Sequence, residues 1–184
     1  MSIHLASGII LAAAHNLHDT NFKRSVVFLA QHEATGTLGY VLNRPLEPTL
    51  RDILPDVRGF DAPLFWGGPC QNDTLHCLHR IGAHVPGALE IADGIYWGGK
   101  FEVITDLLIS GDAEVNDIRF FVGYAGWTDG QLEDEIKEES WMQTHSTPHL
   151  LFEEPTKNLW TRVVSGLGGD YHIIAGTPEH PSLN

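Results

Sequence analysis

Ile118-Arg119-Phe120-Phe121-Val122-Gly123-Tyr124-Ala125-Gly126-Trp127-Thr128-Asp129-Gly130-Gln131-Leu132-Glu133-Asp134-Glu135-Ile136 is the stretch that decides the fold. Ile118 to Tyr124 is the strongest strand signal in the chain, an apolar run rich in β-branched and aromatic side chains. The strand then turns over small residues and an exposed Trp127 straight into a helix. Thr128 followed three residues later by Gln131 predicts a capping box, and Asp129 suits the positive end of the helix dipole. The acids that follow, Glu133, Asp134, Glu135, Glu138 and Glu139, are relieved only by Lys137 and read as a solvated helix face. Ala125 to Thr128 is therefore expected to be held rigidly. It forms one of three Gly/Pro/aromatic corners at strand ends, with Leu38 to Pro45 and Phe65 to Pro69, and such rigid corners are where binding surfaces usually sit.

Working outward, Ser25 to Ala30 and Thr37 to Leu42 are strand runs separated by the turn signal Glu33-Ala34-Thr35-Gly36, so they are expected to pair antiparallel. Gly8 to Ala14 has no preceding Lys or Arg, is too short to span a bilayer, and reads as a buried first strand. Thr49 to Leu54 predicts a short helix stopped by Pro55. Pro63 to Trp66, Thr74 to His79 and Ala88 to Tyr96 predict further strands. Lys100 to Ser110 and about Pro155 to Leu167 carry apolar residues at helical spacing, each followed by glycine. Hairpins in the first half and interspersed helices in the second do not follow a strict strand-helix alternation, so the fold class is α+β. The 184 residues, 42% hydrophobic, suit one domain spanning 1–184, with a loose tail over about 177–184.

The formal net charge of −13 repels phosphate backbones and anionic lipid, so neither direct nucleic-acid binding nor membrane association is expected, and a direct DNA-binding regulator is the disfavoured alternative. Cys70 and Cys77 are too few for a secreted disulfide scaffold, which fits a reducing cytoplasm. Those two cysteines with His76, His79 and His84 do not converge on strand geometry, and neither metal nor cofactor is expected. Gly67-Gly68-Pro69 and Gly98-Gly99 lack the pattern of a phosphate loop and read as tight turns.

Asn43-Arg44-Pro45 holds an arginine near a sheet end, where it either pairs locally or grips a carboxylate or phosphate. Asp19 to Ser25, including Asn21 and Arg24, packs polar side chains into the entry of a buried strand, where they tie down backbone. His32 reads first as a hydrogen-bonded structural residue. Its rival role is that of a general base in a hydrolase using His32 or His79 with Asp73. No serine lies in a nucleophile elbow and no complete catalytic set is present, which weighs against an enzyme.

Taken in order, Asp19 to Val27, Gly36 to Pro45, Gly67 to Pro69 and Gly123 to Ile136 resemble the motifs of the YqgE/AlgH family. The resemblance implies a bacterial-type cytosolic protein with a strongly curved, mixed but mostly antiparallel pseudo-barrel sheet, flanked by about four helices. It also implies a link to transcriptional regulation through alginate control. The chain departs from the family's usual pattern at Gln31-His32, where an acid commonly precedes the histidine, and at Cys70, where an aliphatic residue is more usual. The reading that results is a binding or regulatory protein acting on another protein or a small anionic ligand. Its candidate surface comprises Asn21, Arg24, His32, Asn43, Arg44, Pro45, Gly67, Gly68, Pro69, Tyr124, Gly126, Trp127 and Gln131. Arg44 would supply charge and Trp127 contact area.

Overall fold

The computed structural model describes residues 3–176, and the tail expected over about 177–184 lies outside the described residues. The strands are β1 (Ile9–Ala13), β2 (Val26–Glu33), β3 (Gly36–Val41), β4 (Pro45–Thr49), β5 (Pro63–Trp66), β6 (Cys70–His79), β7 (Leu89–Ala92), β8 (Ile95–Trp97), β9 (Ile118–Trp127) and β10 (Trp141–His145). They form one sheet in the order β10-β1-β2-β3-β9-β6-β8-β7, with β5 attached to β9 and β4 to β5. The helices are α1 (Leu50–Ile53), α2 (Phe101–Ser110), α3 (Gln131–Lys137), α4 (Leu159–Gly166) and α5 (Tyr171–Ala175), with a short π-helix at His149–Glu153. The β5–β9 pair is parallel and the remaining pairs are antiparallel, which makes the sheet mixed and mostly antiparallel.

The apolar run of β9 does not alternate because both of its faces are buried. Phe121 enters a core with Phe28, Tyr40, Leu42, Phe65, Leu78 and Ile95 on one side of the sheet. Phe120 points the other way, into a core with Leu64, Ile104, Leu108 and Ile118 under α2. Fully burying each phenylalanine contributes about 1.5–3 kcal/mol. A third core, with Leu11, Val27, Leu29, Val41, Ala125, Trp127 and Leu132, lies beneath α3. Curvature brings the far ends of the sheet together: Gly8, before β1, abuts Ile91 and Ala92 of β7. The Ser146 hydroxyl also donates to the Gly8 carbonyl.

Strand β9 joins the two halves of this curved sheet. Its first part pairs with β5 and β6, its last residues with β3, and Gly123 between them has φ 68°. Gly67 and Gly68 press against that joint. A Cβ on Gly67 would lie 2.2 Å from the Gly123 carbonyl oxygen, and one on Gly68 would lie 2.1 Å from the Tyr124 carbonyl carbon. The two glycines are there so that two backbones can touch.

Several expected boundaries move. The single strand over Ala88–Tyr96 is a hairpin, β7 and β8, turned at Asp93-Gly94, a dipeptide suited to two-residue hairpin loops. The helix expected from Pro155 starts only at Leu159, because Asn158 sits in the left-handed region at φ 69° and breaks the run. The strand expected from Thr74 starts at Cys70, with an irregularity between Cys70 and Leu75. Strands β4 and β10 were not anticipated: β4 opens and nearly ends on proline, and β10 is a short polar strand at one end of the sheet order. The first strand is as expected, with Ile10 to Ala13 fully buried.

Candidate functional site

Thr37, Leu38 and Gly39 of β3 pair with Trp127, Gly126 and Ala125 of β9. Beside this pairing the β2–β3 hairpin carries a bulge between Leu29 and Gln31, which re-aims Gln31 and His32. The result is an open cleft of about 410 Å³, lined by Gln31, Leu38, Cys70, Tyr124, Gly126 and Trp127 among others. Within it, Cys70 is half-buried and its thiol is free. His76 closes on the other side of Tyr124, edge-on at 5.9 Å between ring centroids, and takes a 2.8 Å hydrogen bond with the Thr74 hydroxyl. Burial holds the His76 pKa below the usual histidine range.

Trp127 is not the exposed side chain expected from its corner: it is only 6% exposed. Its indole N–H donates to Glu135 Oε2 at 2.9 Å, and the indole of Trp141 donates to the same oxygen at 2.7 Å. Phe22 stacks on Trp127 with centroids 6.1 Å apart, and Trp141 meets Trp127 edge-on at 5.9 Å. An indole packed on aromatic rings with its N–H satisfied by a carboxylate is buried architecture, forming the floor of the cleft rather than a projecting anchor. The acidic face of α3 is thus not uniformly solvated: Glu135 turns inward to hold two tryptophans, and its other oxygen accepts from Gln131 Nε2 at 2.9 Å. The capping box forms only in half. Gln131 Oε1 accepts from the Thr128 backbone N–H at 3.1 Å, but the N-cap position is Gly130, at φ 73°, so the Thr128 hydroxyl caps nothing.

The Asn43-Arg44-Pro45 corner lies elsewhere in the network. Asn43 Oδ1 accepts from the Val26 N–H and its Nδ2 donates to the Arg24 carbonyl, both at 2.9 Å. That bracket fixes the entry of β2, where Arg24 adopts φ 53° and lays its guanidinium 4.8 Å over the Trp160 ring. Asn21 takes part through its backbone N–H, which donates to Asp19 Oδ1 at 2.8 Å. Arg44 donates to the Lys23 carbonyl, and its own carbonyl accepts from the Trp66 N–H at 2.8 Å. Pro45 starts β4 opposite Phe65, and the Pro69 carbonyl accepts from Asn72 Nδ2. Phe22 links this corner to the cleft floor by touching both Trp66 and Trp127. Arg44 does not line the cleft that Trp127 lines.

His32 shares a 2.7 Å hydrogen bond between Nδ1 and the Thr37 hydroxyl, and its Nε2 lies 3.7 Å from Glu133. His79 is fully buried, donates from Nε2 to the Gly98 carbonyl at 2.9 Å, and stacks on Tyr96. Its Nδ1 is sealed in with no partner among the described residues, and burial depresses its pKa. Cys77, on the same strand, has its thiol pushed up to about 12 by burial. Among the described residues Asp73 bonds to neither histidine, and no three His, Cys, Asp or Glu side chains converge as metal ligands. Among the described residues no helix is long and apolar enough to cross a membrane.

Two residues of consequence escaped the sequence reading. Glu135 sits in an acidic run, and only its position between two tryptophans, eight and six residues away, hints at the bracket. Arg119 was given no role, although an arginine inside the most apolar strand was the available signal.

A family model described as AlgH-like matches residues 10–172. A protein of the UPF0301 group from Chlorobium luteolum is 43% identical over 180 residues, covering 98% of this chain and 95% of that protein. The solution structure of AlgH from Pseudomonas aeruginosa superposes with a TM-score of 0.73 at 25% identity, covering 98% of this chain and 99% of the other. The crystal structure of protein DIP2367 from Corynebacterium diphtheriae shares the fold, with a TM-score of 0.83 at 19% identity over 96% and 95% of the two chains. The motifs at Asp19, Gly36, Gly67 and Gly123 thus sit within a matched length and a shared curved sheet, and the chain belongs to the YqgE/AlgH family.

Proposed function

We propose that this is a non-enzymatic binding protein whose cleft between the β2–β3 hairpin and the end of β9 receives a segment of another protein. The observation that carries the reading is the open hollow of about 410 Å³, in which Leu38, Tyr124 and the flat backbone at Gly126 are presented over a floor fixed by Trp127 and Glu135. A rigid floor lowers the ordering cost of association, and partly exposed apolar walls supply contact area. Glu33 pairs with the lining residue Gly36 and Asp129 follows the lining residue Thr128, and these acids suit a segment with an apolar centre and basic flanks. An influence on transcription runs, on this reading, through that partner, because a net charge of −13 opposes docking on a duplex. Arg44, Arg24, Asn43 and Asn21 act indirectly, by fixing the entry of β2, the strand whose far end carries Gln31 to the cleft.

Gly126→Gln tests it. A Cβ at Gly126 meets only ordinary contacts, 3.4 Å from Tyr124 Cε2 and 3.5 Å from Cys70 Sγ, so the variant should fold and fill the cleft. A partner retained by the wild-type protein and lost by this variant at unchanged melting temperature is the expected result. Equal retention by both overturns the cleft assignment.

A further inference from the structure

At the opposite end of β9 lies a second cavity, of about 440 Å³, with Arg119 in its wall. Arg119 is 7% exposed, and its guanidinium lies 5.0 Å from the centre of the Phe65 ring. Its Nη1 donates to the Leu42 carbonyl at 2.9 Å and its Nη2 to the Glu154 carbonyl at 3.3 Å. No carboxylate comes within ion-pair distance of it among the described residues.

The surrounding charges are already engaged. Arg80 donates to Asp117 at 2.7 Å and to Glu153 at 2.6 Å. Glu154 takes Arg162 and lies 3.2 Å from His149, which also contacts Glu153 at 2.9 Å. The Glu114 carboxylate accepts a backbone N–H at the 3-10 turn Val115–Asp117. Among the described residues none of these carboxylates comes within ion-pair distance of Arg119, so its charge is met only by carbonyls and an aromatic ring. Carbonyl dipoles and an aromatic face replace only part of the hydration a guanidinium loses on burial. Accordingly, burial lowers the Arg119 pKa to about 10.

We infer that this cavity is a binding site for a small organic monocarboxylate, with the Arg119 fork gripping the carboxylate and Phe65, Phe152 and Ile118 packing against an apolar body. A planar guanidinium matches a carboxylate bidentately. The flanking glutamates Glu114, Glu153 and Glu154 select against ions carrying more than one negative charge. This site is separate from the cleft and does not rest on the cleft's assignment.

Benzoate is the probe. Titrated into the wild-type protein and followed by nitrogen-15 NMR, it should move the Arg119 Nε–Hε resonance saturably, whereas inorganic phosphate at equal ionic strength should not. Asn116 is exposed at the cavity rim, and Asn116→Trp should weaken benzoate binding while leaving the fold intact. Arg119→Met should weaken it about tenfold to a hundredfold, the worth of a hydrogen bond to a charged group. Gly126→Gln should leave it unchanged, which separates this result from any failure at the cleft. No saturable movement, an equal response to phosphate, or wild-type affinity in both cavity variants would overturn the proposal.

Discussion

The two ends of β9 are built from the same apolar strand and differ in how their polar groups are settled. At the Trp127 end the two buried indole donors are matched, because Glu135 takes both of them. At the Ile118 end, among the described residues, Arg119 is buried with no counter-charge in reach, and across the ladder His79, in register with Ile118, hides an Nδ1 with no partner. A matched end is rigid and offers shape, whereas an unmatched end offers chemistry and is the less stable of the two.

The largest effect is expected at the joint between the ends. Gly68→Ala forces a methyl into the Tyr124 backbone and should cost more than about 4 kcal/mol, or abolish folding, whereas Gly126→Ala, farther along β9, should fall within about ±1 kcal/mol. Urea melts of the two variants check this, and similar losses would mean that the joint is not where the halves are welded. Next, Glu135→Ala strands two buried indole N–H groups and should cost about 2–4 kcal/mol, with the tryptophan emission shifting to the red. A neutral outcome would remove the matched character of the Trp127 end.

The smallest effect is one of pH and falls at the other end. His79 is held neutral in the fold, so the unfolded chain binds more protons as pH drops below about 6.5. Stability is therefore full above that pH and declines as pH falls, by up to about 1.4 kcal/mol per pH unit for this residue. His76, depressed by burial as well, adds in the same direction. Between pH 7.5 and 5.5 the urea midpoint should drop, and amide exchange should quicken at residues 78–80 and 118–119 before residues 125–127. His79→Gln should reduce the drop, and an equal drop in both proteins would contradict the assignment to His79.

Local patterns were legible wherever one chain segment determines its own state. The β2–β3 hairpin, the glycine-ended helix α2 and the buried first strand all follow from periodicity and turn residues. The α+β class followed from the order of these elements. What could not be read is tertiary: Trp127 looks exposed beside small residues, and only the return of α3 and β10 over it makes it a floor. The Arg44 environment has the same character, since its acceptor at Lys23 comes from a segment that folds back onto it. Arg119 was hidden for a different reason. A lone arginine in a strand reads as surface until both faces of that strand are known to be covered.

The most direct test of the cleft as the working surface is photo-crosslinking from a reactive side chain placed at Thr35, exposed on the hairpin rim, against the same group at Ile109, exposed on α2. In cells, a single discrete crosslinked product from Thr35 and none from Ile109 is the predicted result. Indistinguishable patterns from the two positions would contradict the account.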